Sequence, residues 1–252
     1  MDFKGPARLR RGVFHPLTII DDHSRYAVGL YACRNQQSRT VRERLTAVFR
    51  RYGLPAKMLA DNGPPWGSGD ERGAWSGLEI WLLKLGVMMI HGRPRHPQTQ
   101  GKDERFHRTL GAELLRRADL RDTDHAQHEL DRWRRVYNLE RPHESIGLRP
   151  PVTRYRPSER SFPERLPEWE PCPGDAAVRV NEGGRIRHKG RCWYLGQAWD
   201  QEIVGLRASA DLIQVRFGPY LIGQIDPRQR GARVQLVPLG RSAPSLHEPD
   251  AA

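Results

Sequence analysis

Cysteine is scarce. The 252 residues contain only Cys33, Cys172 and Cys192, and no two of them form a C-x-x-C pair. That excludes a disulfide framework and a cysteine-ligated zinc module, and reads as three reduced thiols in a cytosol. Lysine is scarcer still relative to its partner: 37 of the 42 basic side chains are arginine and only 5 are lysine. Long apolar runs are missing, and none approaches the ~18 residues that span a bilayer. The first residues, MDFKGPARLRRG, have no apolar segment behind their charges, so no secretory signal is expected. Aromatics make up 8% and hydrophobic residues 37% of the chain, low values that still permit a core, in one or two domains, at this length.

What the sequence has in excess is positive charge. The formal net charge is +12 and the pI about 10.2. A polyanionic partner follows, nucleic acid before membrane. Guanidinium suits phosphate because its planar fork donates to two oxygens at once. A G- and C-rich genome would produce the same arginine bias without any function.

Periodicity places the elements. The runs VFHPLTII and YAVGLYAC, separated by DDHSR, predict an antiparallel hairpin over residues 13–33. QSRTVRERLTAVFRRYG puts Val41, Leu45, Val48 and Phe49 on one helical face, with Gly53 and Pro55 as stop signals. KMLA (57–60) predicts a short strand ending at Asp61. DNGPPWGSGDERG is a loop by composition. Residues 75–85 read as a helix, VMMI as a strand, 99–118 as a helix and 124–139 as another. After residue 150 prolines punctuate a linker. Six short strand-like runs between 176 and 237 then predict a small barrel or sandwich. The tail reads as disordered.

One stretch, HPQTQGKDERFHRTL, sets acids among bases. On a helix from about Thr99, Phe106, Leu110 and Leu114 form a buried stripe. Glu104, two residues before Phe106, lies about 200° from it and points away. It sits in the first turn, where the helix dipole favours an anion. An i,i+4 pair with Arg108 would also explain it. Asp61 ends a strand beside a loop, which suits a ligand and equally an Asx turn. Of the remaining acids, Asp21 and Asp22 fit turn chemistry, and local context says little about Asp2. Carboxylates in a basic protein suit magnesium, which takes oxygen ligands. Two such ions ~3.5–4 Å apart can stabilise the entering and leaving oxygens of an in-line phosphoryl displacement, while Arg and Lys hold DNA phosphates.

The segments MDFKG, LTIIDDHSRYAVG, LADNGPPWG, HPQTQGKDERFHRTL and YNLERPHESIGLRPP, in this order over residues 1 to about 155, carry a resemblance. The chain resembles the catalytic region of bacterial insertion-sequence transposases of the Asp-Asp-Glu type, which share the retroviral-integrase core. The resemblance implies an α/β fold: a ribonuclease-H-like core, with a mixed, mainly five-stranded sheet flanked by helices, followed by a small all-β SH3-like barrel. The implied domains are a core over 1–155, a Pro-rich linker over 156–175, a barrel over 176–238 and a tail over 239–252. Asp2, Asp61 and Glu104 are the implied catalytic, metal-holding triad, with two Mg²⁺ ions as cofactor and Mn²⁺ able to substitute. Asp2 would bridge the ions. Gln98, Lys102, Arg105 and Arg108 are expected to contact DNA. Asp103, where relatives often carry an apolar or neutral residue, is expected to be a solvated neighbour. His143 is expected to pack or cap, and Trp66, Trp75 and Trp81 to be core or loop anchors.

The implied activity is metal-dependent strand cleavage and transfer at insertion-sequence ends. The implied partners are double-stranded DNA, at element ends and target, and further copies of the chain assembled on it. No membrane is involved, and the location is the bacterial cytoplasm, at the nucleoid. Relatives carry a helix-turn-helix region of about a hundred residues before MDFKG. The expectation here is a fragment, an internal start or a product fused to another reading frame. The alternatives are a catalytically inactive remnant that binds DNA or full-length transposase, and a stand-alone nuclease of the same fold.

Overall fold

The structure, a computed structural model, describes residues 1–61, 63–67, 74–91, 101–229 and 233–237. It divides into two compact units, Met1–Pro65 with His91–Phe162, and Trp66–Ile90 with Pro163–Ala252.

The first unit is built on the expected hairpin. β3 (Val13–Ile20) and β4 (Ala27–Cys33) pair antiparallel, from His15 opposite Cys33 to Ile20 opposite Ala27. Asp21 turns the chain between them. Its carboxylate accepts from the Ser24 N–H at 2.8 Å and from the Ser24 hydroxyl, the turn chemistry read from DDHSR. On its other edge β3 pairs antiparallel with two short strands, β1 (Asp2–Phe3) and β2 (Ala7–Arg8).

α1 (Ser38–Tyr52) buries Val41, Leu45, Val48 and Phe49, the predicted stripe. It stops at Gly53, whose φ of 79° favours glycine. A Cβ there would also lie 2.4 Å from the Ser158 carbonyl oxygen. Residues 158–160 are tied to the end of this helix: the Ser158 N–H donates to Tyr52 O at 2.9 Å and the Leu54 N–H to Arg160 O at 2.7 Å. β5 (Lys57–Ala60) follows and delivers Asp61.

The expected helix of the mixed-charge stretch is described as α3 (Gly101–Leu110), continued by a π-turn over Gly111–Leu115. Phe106, Leu110 and Leu114 join Phe14, Leu30 and Leu130 in one buried cluster. α4 (Thr123–Leu139) is capped by Asp122, which accepts from the His125 N–H. It lies along β4, whose far edge meets no strand among the described residues. An open edge leaves backbone groups in need of partners, and α4 supplies them. Asn138 Oδ1 accepts from the Ala27 N–H at 2.8 Å and its Nδ2 donates to Ala27 O at 3.0 Å. Gln127 makes the same kind of double contact with Ala32 N and Leu30 O.

In the second unit, α2 (Gly77–Lys84) is apolar nearly all round, and a helix of that kind is buried. Leu78 through Leu83 are all buried, including Glu79, which closes a capping box with Ser76. Then comes β6 (Met88–His91). Trp66, Trp75 and Trp81 are buried. The C-terminal strands are β7 (Ala176–Arg179), β8 (Arg185–His188), β9 (Arg191–Tyr194), β10 (Ile203–Ser209), β11 (Leu212–Phe217), β12 (Tyr220–Ile225) and β13 (Gln235–Leu236). They form an antiparallel sheet of order β13-β12-β11-β10-β7 and a separate β8–β9 hairpin. Trp199 and Phe217 are fully or almost fully buried in a core that also takes in Trp75, Ile80 and Leu83. The tail from residue 238 lies outside the described residues.

Substituting Asn138 by leucine strips Ala27 of two buried partners at once. At about 1–3 kcal/mol for each buried group left unpaired, Asn138→Leu should lower stability by about 2–4 kcal/mol in urea unfolding followed by circular dichroism. A loss below ~0.5 kcal/mol, the usual effect of a surface change, would contradict the edge-sealing role.

Candidate active site

The carboxylates named in the sequence collect in the first unit. Asp2 stands on β1 directly opposite Thr18 of β3, with 39% of its side chain exposed. Its carboxyl is pushed up from 3.8 to about 6, chiefly by burial and next by the charge of Asp103; Asp61 adds to the effect, while the chain's amino group and the Phe3 N–H oppose it. Asp61 follows β5, is exposed, and its carbonyl accepts from His91 Nδ1 at 2.8 Å. Asp61 thus lies close enough to Asp2 for its charge to act on that carboxyl.

Asp103 behaves differently from its expected role. It is not a solvated bystander: only 17% of its side chain is exposed, and it lies 3.7 Å from the Met1 amine. The reason is helical phase. Asp103 is three residues before the buried Phe106 and shares its side of α3, whereas Glu104 is turned away and is exposed. Among the described residues no group of three or more His, Cys, Asp or Glu side chains is disposed to hold a metal ion.

His107 was not singled out in the sequence. Its ring Nε2 meets Thr18 Oγ1 at 2.8 Å, its Nδ1 lies 3.9 Å from Asp2 Oδ2, and its side chain is 14% exposed. Burial, above all, pushes it down from 6.5 to about 4, against the pull of Asp103 and with help from Lys4 and the chain's amino group. The i,i+4 spacing of Asp103 and His107 on a helix whose stripe includes Phe106 is the signal that finds both.

Around this cluster lie the expected DNA contacts. Lys102, Arg105 and Arg108 are exposed on α3, and Lys102 pairs with Asp22. Gln98 lies outside the described residues. A cavity of about 420 Å³ opens alongside, lined in part by Met1, Ile20, Leu59, Lys102 and Asp103. His143, in the segment after α4, packs edge-on against Tyr137 with ring centroids 4.7 Å apart, the packing role expected of it.

A strand-borne aspartate, a second at the end of another strand and acids on a helix, carried on an α/β unit, are the arrangement expected of an integrase core. Family models described as integrase core domain match residues 1–97 and 85–151, and the chain belongs to this family. It is 29% identical over 152 residues to an insertion element IS476 uncharacterized 39.2 kDa protein of Xanthomonas euvesicatoria, covering 60% of this chain and 42% of that protein. It is 25% identical over 135 residues to an insertion element IS407 uncharacterized 31.7 kDa protein of Burkholderia multivorans, covering 54% of this chain and 46% of that one. The chain thus spans less than half the length of these curated relatives. A cryo-electron-microscopy structure of a simian T-cell lymphotropic virus intasome bound to PP2A regulatory subunit B56 gamma has the same fold, with a TM-score of 0.51 at 15% identity over 90% of this chain and 78% of that one. No described helix is long and apolar enough to cross a membrane.

The two shifted groups have opposite consequences for stability. The contribution of His107 is complete above 6.5 and is lost as pH falls through about 4. That of Asp2 is present below 3.8 and is lost as pH rises through about 6, so an ionised Asp2 is a liability at neutral pH. Asp2→Asn should therefore melt at a higher temperature than the wild type at pH 7 without divalent cations. The gain should be about 1 kcal/mol once discounted for solvent exposure, and should disappear at pH 3. Equal or lower melting of the variant at pH 7 would contradict the crowding of charge around Asp2.

Proposed function

We propose that the chain is the catalytic region of an insertion-element transposase, a polynucleotidyl transferase that cleaves DNA at the element ends and joins the freed 3′ ends to target DNA. The observation that carries this reading is the match of residues 1–151 to integrase-core models; the charge of Asp61 acting on Asp2 supports it.

The donor set suits a hard divalent cation. Every candidate ligand is a carboxylate oxygen, and the Asp2 carboxyl, raised first by burial and then by the charges of Asp103 and Asp61, stands where a cation would be favoured. Asp2, Asp61 and Glu104 would hold two Mg²⁺ ions, with Mn²⁺ able to substitute. Bound there, the ions would activate a hydroxyl nucleophile and stabilise charge on the phosphoryl oxygens. The chain's own residues do the rest. Lys102, Arg105 and Arg108 on α3, with Gln98 before it, hold the DNA backbone beside the carboxylates, through contacts that weaken with salt. Exposure leaves Glu104 free to reach inward once DNA and cation are present. His107, neutral at pH 7, stands against Asp2 without neutralising it.

The C-terminal strands are read as an SH3-like barrel that adds DNA-binding surface. Assembly of several copies on paired DNA ends, in the bacterial cytoplasm, completes the proposal. An inactive DNA-binding remnant is the alternative reading, and the test below separates the two.

The test is joining of labelled element-end DNA by the purified chain in Mg²⁺. The expected result is joined product that vanishes with chelator and falls to background in Glu104→Gln, while salt-sensitive DNA binding is retained. Joining that survives Glu104→Gln would overturn the ligand assignment. Salt-sensitive binding with no metal-dependent product would favour the remnant.

A further inference from the structure

A buried polar chain ties the helix that carries Glu104 to the strand that carries Asp2. Thr18 is fully buried in β3, across from Asp2. Its Oγ1 donates to the Asp2 carbonyl oxygen at 3.0 Å. A carbonyl cannot donate, so the single hydroxyl hydrogen is committed there. At its second contact, 2.8 Å from His107 Nε2, Thr18 must therefore accept. The hydrogen of the neutral ring is on Nε2, and Nδ1 presents a lone pair toward Asp2 Oδ2, 3.9 Å away.

The direction of these bonds matters. His107 donates to Thr18, Thr18 donates to the Asp2 backbone, and three secondary-structure elements are locked in sequence: α3, β3 and β1. His107 is one turn beyond Glu104 on the same helix, so whatever fixes the ring fixes the phase of the turn that carries Glu104. β1 is two residues long, too short to define the place of Asp2 by ladder bonds alone. Breaking either link leaves a polar atom unpaired in a water-poor site, where such bonds are strongest and their loss most costly.

We propose that His107, acting through Thr18, is a positioning residue: it sets the register between the helix of Glu104 and the strand of Asp2, and so the spacing of the carboxylates. The proposal rests on the reading of Asp2 and Glu104 as metal ligands.

Three substitutions test it. Thr18→Val keeps the shape and removes both bonds. His107→Gln keeps an N–H at the ε position, where Thr18 needs it; His107→Asn offers one only at the δ position. The readouts are the Mg²⁺ concentration that gives half of the metal-induced rise in melting temperature, and the joining rate as a function of DNA concentration. Thr18→Val and His107→Asn should need about tenfold more Mg²⁺, with a rate at saturating DNA lower by about 10–100-fold, the usual effect of losing a group that orients a metal ligand. The half-saturating DNA concentration should not move, and His107→Gln should recover most of the loss. Equal behaviour of the Gln and Asn variants, or an unchanged Mg²⁺ requirement in Thr18→Val, overturns the proposal. A wild type whose melting does not respond to Mg²⁺ overturns the metal-site reading instead. The link is then decided by ¹⁵N NMR of the His107 ring: a hydrogen on Nε2 with Nδ1 bare upholds it, and a hydrogen on Nδ1 overturns it.

Discussion

Like charges resist being brought together, and this chain brings several carboxylates to one place. Burial first, then the charge of Asp103 and to a smaller extent that of Asp61, push the Asp2 carboxyl up to about 6. That arrangement opposes folding at neutral pH, so other contacts must hold it. The hairpin of β3 and β4 is the platform, and the cluster around Phe14, Leu30 and Phe106 fastens α3 to it. The hydroxyl of Thr18 and the ring of His107 join the two pieces where the acids stand. Burial of apolar area supplies the driving force. The polar links decide which geometry it stabilises.

The same division of labour appears at the other side of β4. A bare sheet edge is a hazard because its backbone groups seek any partner. Here the amides of Asn138 and Gln127 reach from α4 and satisfy Ala27, Leu30 and Ala32. A helix that contributed only apolar contacts would leave those groups open.

Local pattern made much of this legible. The apolar run VFHPLTII, the stripe Val41-Leu45-Val48-Phe49 and the i, i+4, i+8 spacing of Phe106, Leu110 and Leu114 each mark one element, and each is found in the structure, the run as a strand buried from Pro16 to Ile19 and the two stripes as buried helix faces. Asp61 at a strand end and Glu104 turned from the stripe were legible for the same reason. What escaped were relations across the chain. Thr18 and His107 are 89 residues apart, and no local window pairs them. The place of Asp103 follows its own helical phase and not what relatives carry at that position: three residues before Phe106, it faces inward. The burial of Trp199 against Trp75, 5.3 Å between ring centroids, likewise depends on a partner that no local window contains.

The central claim is that Asp2 and Asp61 form the heart of a divalent-cation site. Anomalous diffraction from crystals soaked in Mn²⁺ tests it most directly. The account predicts manganese peaks in contact with the carboxylates of Asp2 and Asp61, with Glu104 drawn in to ligate, and no such peaks in Asp2→Asn crystals. Manganese bound elsewhere only, or at this place with Asp2 left out of the ligand set, would contradict it.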